Sequence, residues 1–150
     1  MTKDEFYMGK AIAQAKIAAA VGEIPIGAVI VYADKVIARA YNLRESLPCA
    51  TAHAELLAIE KACRALERWR LTDCTLYVTT EPCPMCAGAI VNARMTRLVY
   101  GCDDPKAGAV RSLYAIADDP KLNHQVEVVR GVRAEECSQL LKDFFRKRRK

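Results

Sequence analysis

TLYVTTEPCPMCAGAIVNARMTRLVY, residues 75–100, decides the fold. Thr75–Thr79 is apolar, β-branched and aromatic, which predicts a buried strand. Pro82–Asn92 predicts a short helix, because proline is tolerated where first-turn amides have no partner inside the helix. Arg97–Tyr100 is strand-like again. Strand, helix and strand in such close succession form the unit of a parallel crossover.

The flanking segments extend this unit. Towards the N-terminus, residues 4–21 predict a helix: Met8, Ile12, Ala15 and Ala19 recur at spacings of three and four. Gly22 ends it, with Pro25 close behind. Ile24–Val31 and Val36–Tyr41 predict two strands joined as a hairpin through Ala33-Asp34-Lys35. Asn42–Thr51 is polar, contains Pro48 and predicts a loop. Thr51 is then the expected N-cap of a helix over Ala52–Leu66.

Towards the C-terminus, Gly101–Gly108 predicts a turn-rich loop, Ala109–Ala117 a short helix and Val126–Val129 a fifth strand. The last helix starts near Ala134 and presents Cys137, Leu140, Leu141, Phe144 and Phe145 on one side. The pattern predicts an α/β chain with a five-stranded mixed sheet and helices on both faces. Its one expected antiparallel pair is the initial hairpin. No repeat or linker divides residues 1–150, so one domain is expected.

Composition bounds the function. Hydrophobic residues are 52% of the 150 and charged ones 27%, which suits a globular protein and not a disordered one. No run reaches the length of a membrane span, and Met1–Lys10 lacks an apolar secretory core. A cytoplasmic protein is expected. Seven cysteines are an odd number in a chain too long for a small disulfide scaffold, so free or metal-bound thiols are expected. Of 23 basic residues, the last five form the run Arg146–Lys150; the remaining 18 face 18 acidic ones. The excess charge is a terminal feature, suited either to phosphates or to a plain solvated end.

Two motifs carry chemistry: Thr51-Ala52-His53-Ala54-Glu55 and Glu81-Pro82-Cys83-Pro84-Met85-Cys86. Two cysteines spaced C-x-x-C reach one metal from the first turn of a helix, whose free amides also favour thiolates. His53 adds a nitrogen. Three protein ligands leave the fourth position of a tetrahedral zinc for water, the mark of a catalytic site. Zinc lowers the pKa of water from about 15.7 to about 7. Glu55, two residues after His53, is placed to move protons without being a ligand.

Each part has a plainer reading. The CxxC alone also fits a redox pair or half of a structural zinc site, and His53 alone fits a helix histidine. The redox reading leaves His-x-Glu unexplained, and a closed zinc site needs a fourth ligand from the other cysteines or His124. Together the motifs match the H-x-E…P-C-x-x-C pattern of zinc deaminases. In that chemistry Glu55 takes a proton from water and delivers protons to the ring nitrogen and the leaving amine.

The chain further resembles the bacterial tRNA-specific adenosine deaminases. The resemblance lies in Gly22–Val29, Asn42-Leu43-Arg44-Glu45, Thr51–Glu55, Leu76–Ala89, Tyr100–Gly108, Leu122-Asn123-His124 and Phe144-Phe145-Arg146. It covers nearly the whole chain, departing at Thr80, Cys49-Ala50 and Cys102-Asp103.

It implies the three-layer α/β/α cytidine-deaminase-like fold and one Zn2+ per subunit of a homodimer. The implied reaction is deamination of the wobble adenosine, position 34, to inosine in a tRNA anticodon stem-loop, chiefly of arginine tRNA, with release of ammonia. It also implies that Asn42 bonds the flipped adenine, with Val29 packed on it and Ala54 and Glu55 beside it. Asp104 and Lys106 would lie by the flanking nucleotides. Phe145 and Arg146, in the basic helix end 144–150, would hold the loop. The rival readings are a free-base or nucleoside deaminase, acting for example on guanine or cytosine, and a zinc-stabilised RNA-binding module without catalysis.

Overall fold

The computed structural model describes residues 1–148; Arg149 and Lys150, the end of the basic run, lie outside the described residues. Helix α1 spans Lys3–Ala20. Thr2 and Glu5 start it by capping each other: the Glu5 amide donates to the Thr2 hydroxyl at 3.1 Å, and the Thr2 amide to the Glu5 carboxylate at 2.8 Å. Strands β1 (Gly27–Tyr32) and β2 (Lys35–Tyr41) follow, then α2 (Ala54–Leu66), β3 (Cys74–Thr80), α3 (Pro84–Asn92), β4 (Arg97–Cys102), β5 (Glu127–Val129) and α4 (Ala134–Arg148).

The sheet order is β2-β1-β3-β4-β5. β1 runs antiparallel to both β2 and β3, whereas β3, β4 and β5 are parallel. Two antiparallel pairs therefore replace the single one expected, because the hairpin docks onto β3 by its first strand. Side chains alternate across the sheet. Ala28, Ile30, Leu76, Val78, Leu98 and Tyr100 join the core under α2 and α3. Val29, Val31, Tyr77 and Val99 pack with α1 and α4 on the opposite face. With both faces covered, the strands are nearly all apolar. Gly27 sits where a Cβ would strike the α1 backbone at Ala11 and Ala15, so only glycine lets the helix lie this close.

Two local expectations fail for physical reasons. α2 begins at Ala54 with His53 as its N-cap and no side-chain cap, so Thr51 is not the cap; its hydroxyl faces the Cys49 sulfur at 3.3 Å. Residues 109–117 form turns and not a helix, because the amides of Val110, Arg111 and Ser112 all donate to the Glu81 carboxylate. No helix among the described residues is long and apolar enough to cross a membrane.

A partly buried ion pair ties the N-terminus to the sheet. Arg97 donates to both carboxylate oxygens of Asp4 at 2.7 and 2.6 Å, and the Tyr77 hydroxyl donates to one of them at 2.8 Å. The Arg97 hydrogen bonds hold the Asp4 carboxyl below its ordinary value of 3.8. A carboxyl whose value is lowered by folding adds stability above its unfolded value and loses it as pH falls. Asp4→Asn is expected to cost about 1–2 kcal/mol at pH 7, a deficit that shrinks as pH falls below about 4. Urea unfolding at the two pH values checks this; an equal deficit at both would contradict it.

Candidate active site

The metal-binding motifs meet at two helix N-termini. His53 caps α2 and Cys83 caps α3 in extended backbone, with Pro84 in the first turn and Cys86 buried behind it. The Nδ1 of His53 lies 3.7 Å from the Cys83 sulfur and 3.5 Å from that of Cys86. Tetrahedral zinc, with bonds of about 2.3 Å to sulfur and 2.0 Å to nitrogen, places such donors about 3.6 Å apart. The donor set therefore fits zinc.

The electrostatics also call for a cation. The hydrogen bond from Cys86 pulls the Cys83 thiol down to about 4, while that same bond and burial push Cys86 up. The His53 imidazole is raised, chiefly by its bond to Cys83. Burial pushes the Glu55 carboxyl up to about 7. Two thiols and a carboxylate cannot all ionise here unaided, whereas a bound zinc deprotonates coordinating thiols outright.

The cluster opens into a cavity of about 450 Å³ bordered by His53, Ala54, Glu55 and Cys83, well sized for a small ligand. One wall carries Ile24, Ile26, Asn42 and Arg44. Asn42 is 5% exposed as a residue, and its side-chain amide is open to the cavity and not sealed in the core. The facing wall is the Asp103–Ala107 turn, where Asp104 Oδ1 accepts from the amides of Lys106 and Ala107. Leu141 and Phe145 of α4 close the side, and Phe145 is 42% exposed.

Two buried carboxylates hold these walls. Glu23 accepts from the amides of Glu45 and Ser46 at 3.2 and 2.5 Å, fixing the turn after Asn42. Burial opposes its charge, yet the Ser46 and Glu45 donors keep its carboxyl below the ordinary value. Glu81 accepts from the amides of Asp104, Val110, Arg111 and Ser112 and from the Ser112 hydroxyl. Burial opposes this charge too, but the donors of Ser112, Arg111 and Asp104 hold it at about 2.

Of the residues singled out in the sequence, His53, Cys83 and Cys86 converge as a metal cluster. Asn42, Ala54, Glu55, Asp104, Lys106 and Phe145 share its cavity. Val29 does not reach it. It is fully buried on the sheet face packed by α1 and α4, because its strand position has the wrong parity. Ile24 and Ile26 supply the apolar wall instead. Arg146 is also outside the lining. Leu141 and Phe145, four residues apart, face inward, and the next residue turns out to solvent to pair with Asp143 at 2.9 Å.

Phe144 is half-buried against Phe145, under the Arg148 guanidinium. His124 Nε2 donates to the Met95 carbonyl at 2.7 Å, tying the segment after Pro120 to the body. Ile24, Ile26 and Arg44 lie within the quoted segments Gly22–Val29 and Asn42–Glu45, but nothing local singles them out there, whereas helical spacing places Leu141 on the apolar side of the last helix.

The family model for MafB19-like deaminases matches residues 2–149. A tRNA-specific adenosine deaminase of Bacillus subtilis (strain 168) is 53% identical over 150 residues, spanning 100% of this chain and 93% of that protein. The tRNA-specific adenosine deaminase of Haemophilus influenzae is 49% identical over 147 residues, spanning 97% and 85%. A structure solved in work on A-to-I editing by tRNA:A34 deaminases at the wobble position superposes with a TM-score of 0.87 at 44% identity, over 91% of this chain and 99% of that one. A guanine deaminase from Bacillus subtilis superposes with a TM-score of 0.66 at 32% identity, over 97% and 92%. Similarity of this order runs from end to end of the sequence, and the chain belongs to the bacterial tRNA-specific adenosine deaminase family.

Proposed function

We propose that the protein deaminates the wobble adenosine of a tRNA anticodon loop, position 34, to inosine, consuming water and releasing ammonia. The observation that carries this reading is a three-ligand metal cluster beside a buried Glu55, at the base of a cavity to which the Asn42 amide is open. His53, Cys83 and Cys86 would hold one zinc per subunit, which when bound supplies a Lewis acid that activates water near neutral pH.

Glu55 accepts the proton of that water and passes it to the ring nitrogen of adenine. The water oxygen bonds to the amine-bearing ring carbon as this happens; the proton of the resulting hydroxyl then passes through Glu55 to the amine, so that the C–N bond breaks, ammonia leaves and a carbonyl remains. Asn42 offers a donor and an acceptor to the base edge, between Ile26 and Ala54. Asp104 and Lys106 serve the flanking nucleotides, with Asp104 by the target's ribose. A base-modifying enzyme needs an unstacked base, and an anticodon loop yields one cheaply.

Phe145 offers a stacking surface at the cavity rim, and Arg146, Lys147 and Arg148 follow it as phosphate partners. This end argues against a free-base deaminase, which has no use for it. The convergence of only three protein ligands among the described residues argues against a purely structural zinc module. Residues 1–150 act as one cytoplasmic deaminase domain, and an arginine tRNA is the proposed substrate. A homodimer fits the exposed Leu47 and Met85, on the loop after Asn42 and the helix that carries Cys86, together with the exposed Leu113 and Tyr114 in the turns that follow Ser112.

Zinc-loaded protein is expected to form inosine in matched tRNA and none from free adenosine. No conversion of either, with zinc bound, would redirect the assignment to guanine or cytosine. Deleting residues 146–150 is expected to raise KM for tRNA. It also flattens the salt dependence by about 0.7 in the log–log slope for each phosphate no longer neutralised. An unchanged slope would make the basic run a solvated end.

A further inference from the structure

We propose that Glu81 is a positioning residue for substrate: it holds the Asp104–Ala107 wall in the shape that engages the nucleotides flanking the target. This rests on the tRNA-deaminase reading above.

Glu81 follows β3 and is 3% exposed. Its carboxylate receives the Asp104 amide at 3.0 Å, the Val110 amide at 3.0 Å, and the amides of Arg111 and Ser112 at 2.8 Å each. The Ser112 hydroxyl adds a fifth donor at 2.5 Å. No cation pairs with it among the described residues; the nearby Arg111 guanidinium is engaged with Asp118 at 2.8 Å. A buried charge without a counter-ion is costly unless hydrogen bonds saturate it. Here consecutive backbone amides cradle it, as they cradle bound anions in other proteins. The chain supplies its own anion, and residues 103–112, which form no helix and no strand after Cys102, wrap around it.

The geometry passes directly to the cavity. Glu81 fixes the Asp104 amide, and the Asp104 side chain in turn orders the amides of Lys106 and Ala107. Gly108 bears independent witness. A Cβ there would collide with the Glu81 carboxylate, which five donors prevent from swinging aside. The loop can close on Glu81 only with glycine at that position.

The test uses the zinc-loaded full chain with Glu81→Gln, Gly108→Ala, the double variant and the milder Ser112→Ala, which removes one donor and preserves the rest. Zinc content, amide hydrogen exchange over residues 104–112 and kinetics on anticodon stem-loops with matched or altered flanking nucleotides are measured.

Glu81→Gln is expected to keep zinc and to speed exchange in this segment by on the order of tenfold. It raises KM by about tenfold to a hundredfold, with a smaller fall in kcat, and narrows the preference among flanking nucleotides. Gly108→Ala shows the same pattern and adds little to Glu81→Gln, since both disrupt the same packing of loop on carboxylate. Ser112→Ala shifts KM the same way by about threefold.

Unchanged exchange in every variant overturns the proposal whatever the substrate proves to be. Faster exchange with unchanged KM and flanking preference also overturns it, leaving Glu81 a support of the fold alone. Loss of zinc, or a fall in kcat with KM unchanged, would assign Glu81 to the reaction centre instead. If wild-type protein edits no tRNA, the functional reading fails on that result, and exchange still decides whether Glu81 holds the wall.

Discussion

Glu55→Ala is expected to retain one zinc per chain and to lose turnover on tRNA by about a thousandfold, or ~4 kcal/mol of transition-state stabilisation. The carboxyl is 4% exposed and begins α2 two residues after a metal ligand, but the ligating atoms are those of His53, Cys83 and Cys86. Losing it therefore removes proton transfer and leaves the metal held. Glu55→Gln keeps the side-chain volume and is expected to lose as much, separating chemistry from packing. Single-turnover rates with metal analysis on the same samples decide the matter. A variant that loses zinc with activity would make Glu55 part of the metal's support.

Cys86→Ala is expected to abolish activity by the other route. Cys86 is fully buried in the first turn of α3, so its sulfur can be replaced neither by a neighbour nor readily by solvent. With two ligands left, zinc affinity should fall by well over about a hundredfold. The metal-free protein should also melt at lower temperature, since binding to the native state is lost. Chelation of the wild-type protein should reproduce both effects, and zinc should reverse the chelated protein but not the variant. Full zinc occupancy with normal turnover in Cys86→Ala would remove this residue from the metal site.

These effects rest on features legible in the sequence, because the chemistry is local. His53 and Glu55 are two residues apart, and Cys83 and Cys86 three, each pair at the start of one helix. The strands are legible for a similar reason: a sheet covered on both faces needs apolar runs such as Ala28–Val31 and Leu76–Val78. What local patterns do not contain is pairing at a distance. Nothing in the hairpin says that β1 will lie between β2 and β3.

The turns at 109–117 depend on a carboxylate nearly thirty residues upstream, so the helical pattern in that segment is overruled by Glu81. Val29 shows the converse. Family likeness points to it, whereas strand alternation puts it in the core and gives the cavity to Ile26.

The paired anchoring by Glu23 and Glu81 has an evolutionary consequence. Both carboxylates grip main-chain N–H groups, apart from the Ser112 hydroxyl, and every amino acid except proline carries that group. The exposed side chains at Arg44, Glu45 and Lys106 are thus largely relieved of holding the loops in shape. Substitutions there can accumulate and alter which nucleic acid is accepted while the frame stays put. A scaffold that reads only the backbone leaves its recognition surface free to drift, and the likeness to a guanine deaminase shows how far one architecture can be re-lined.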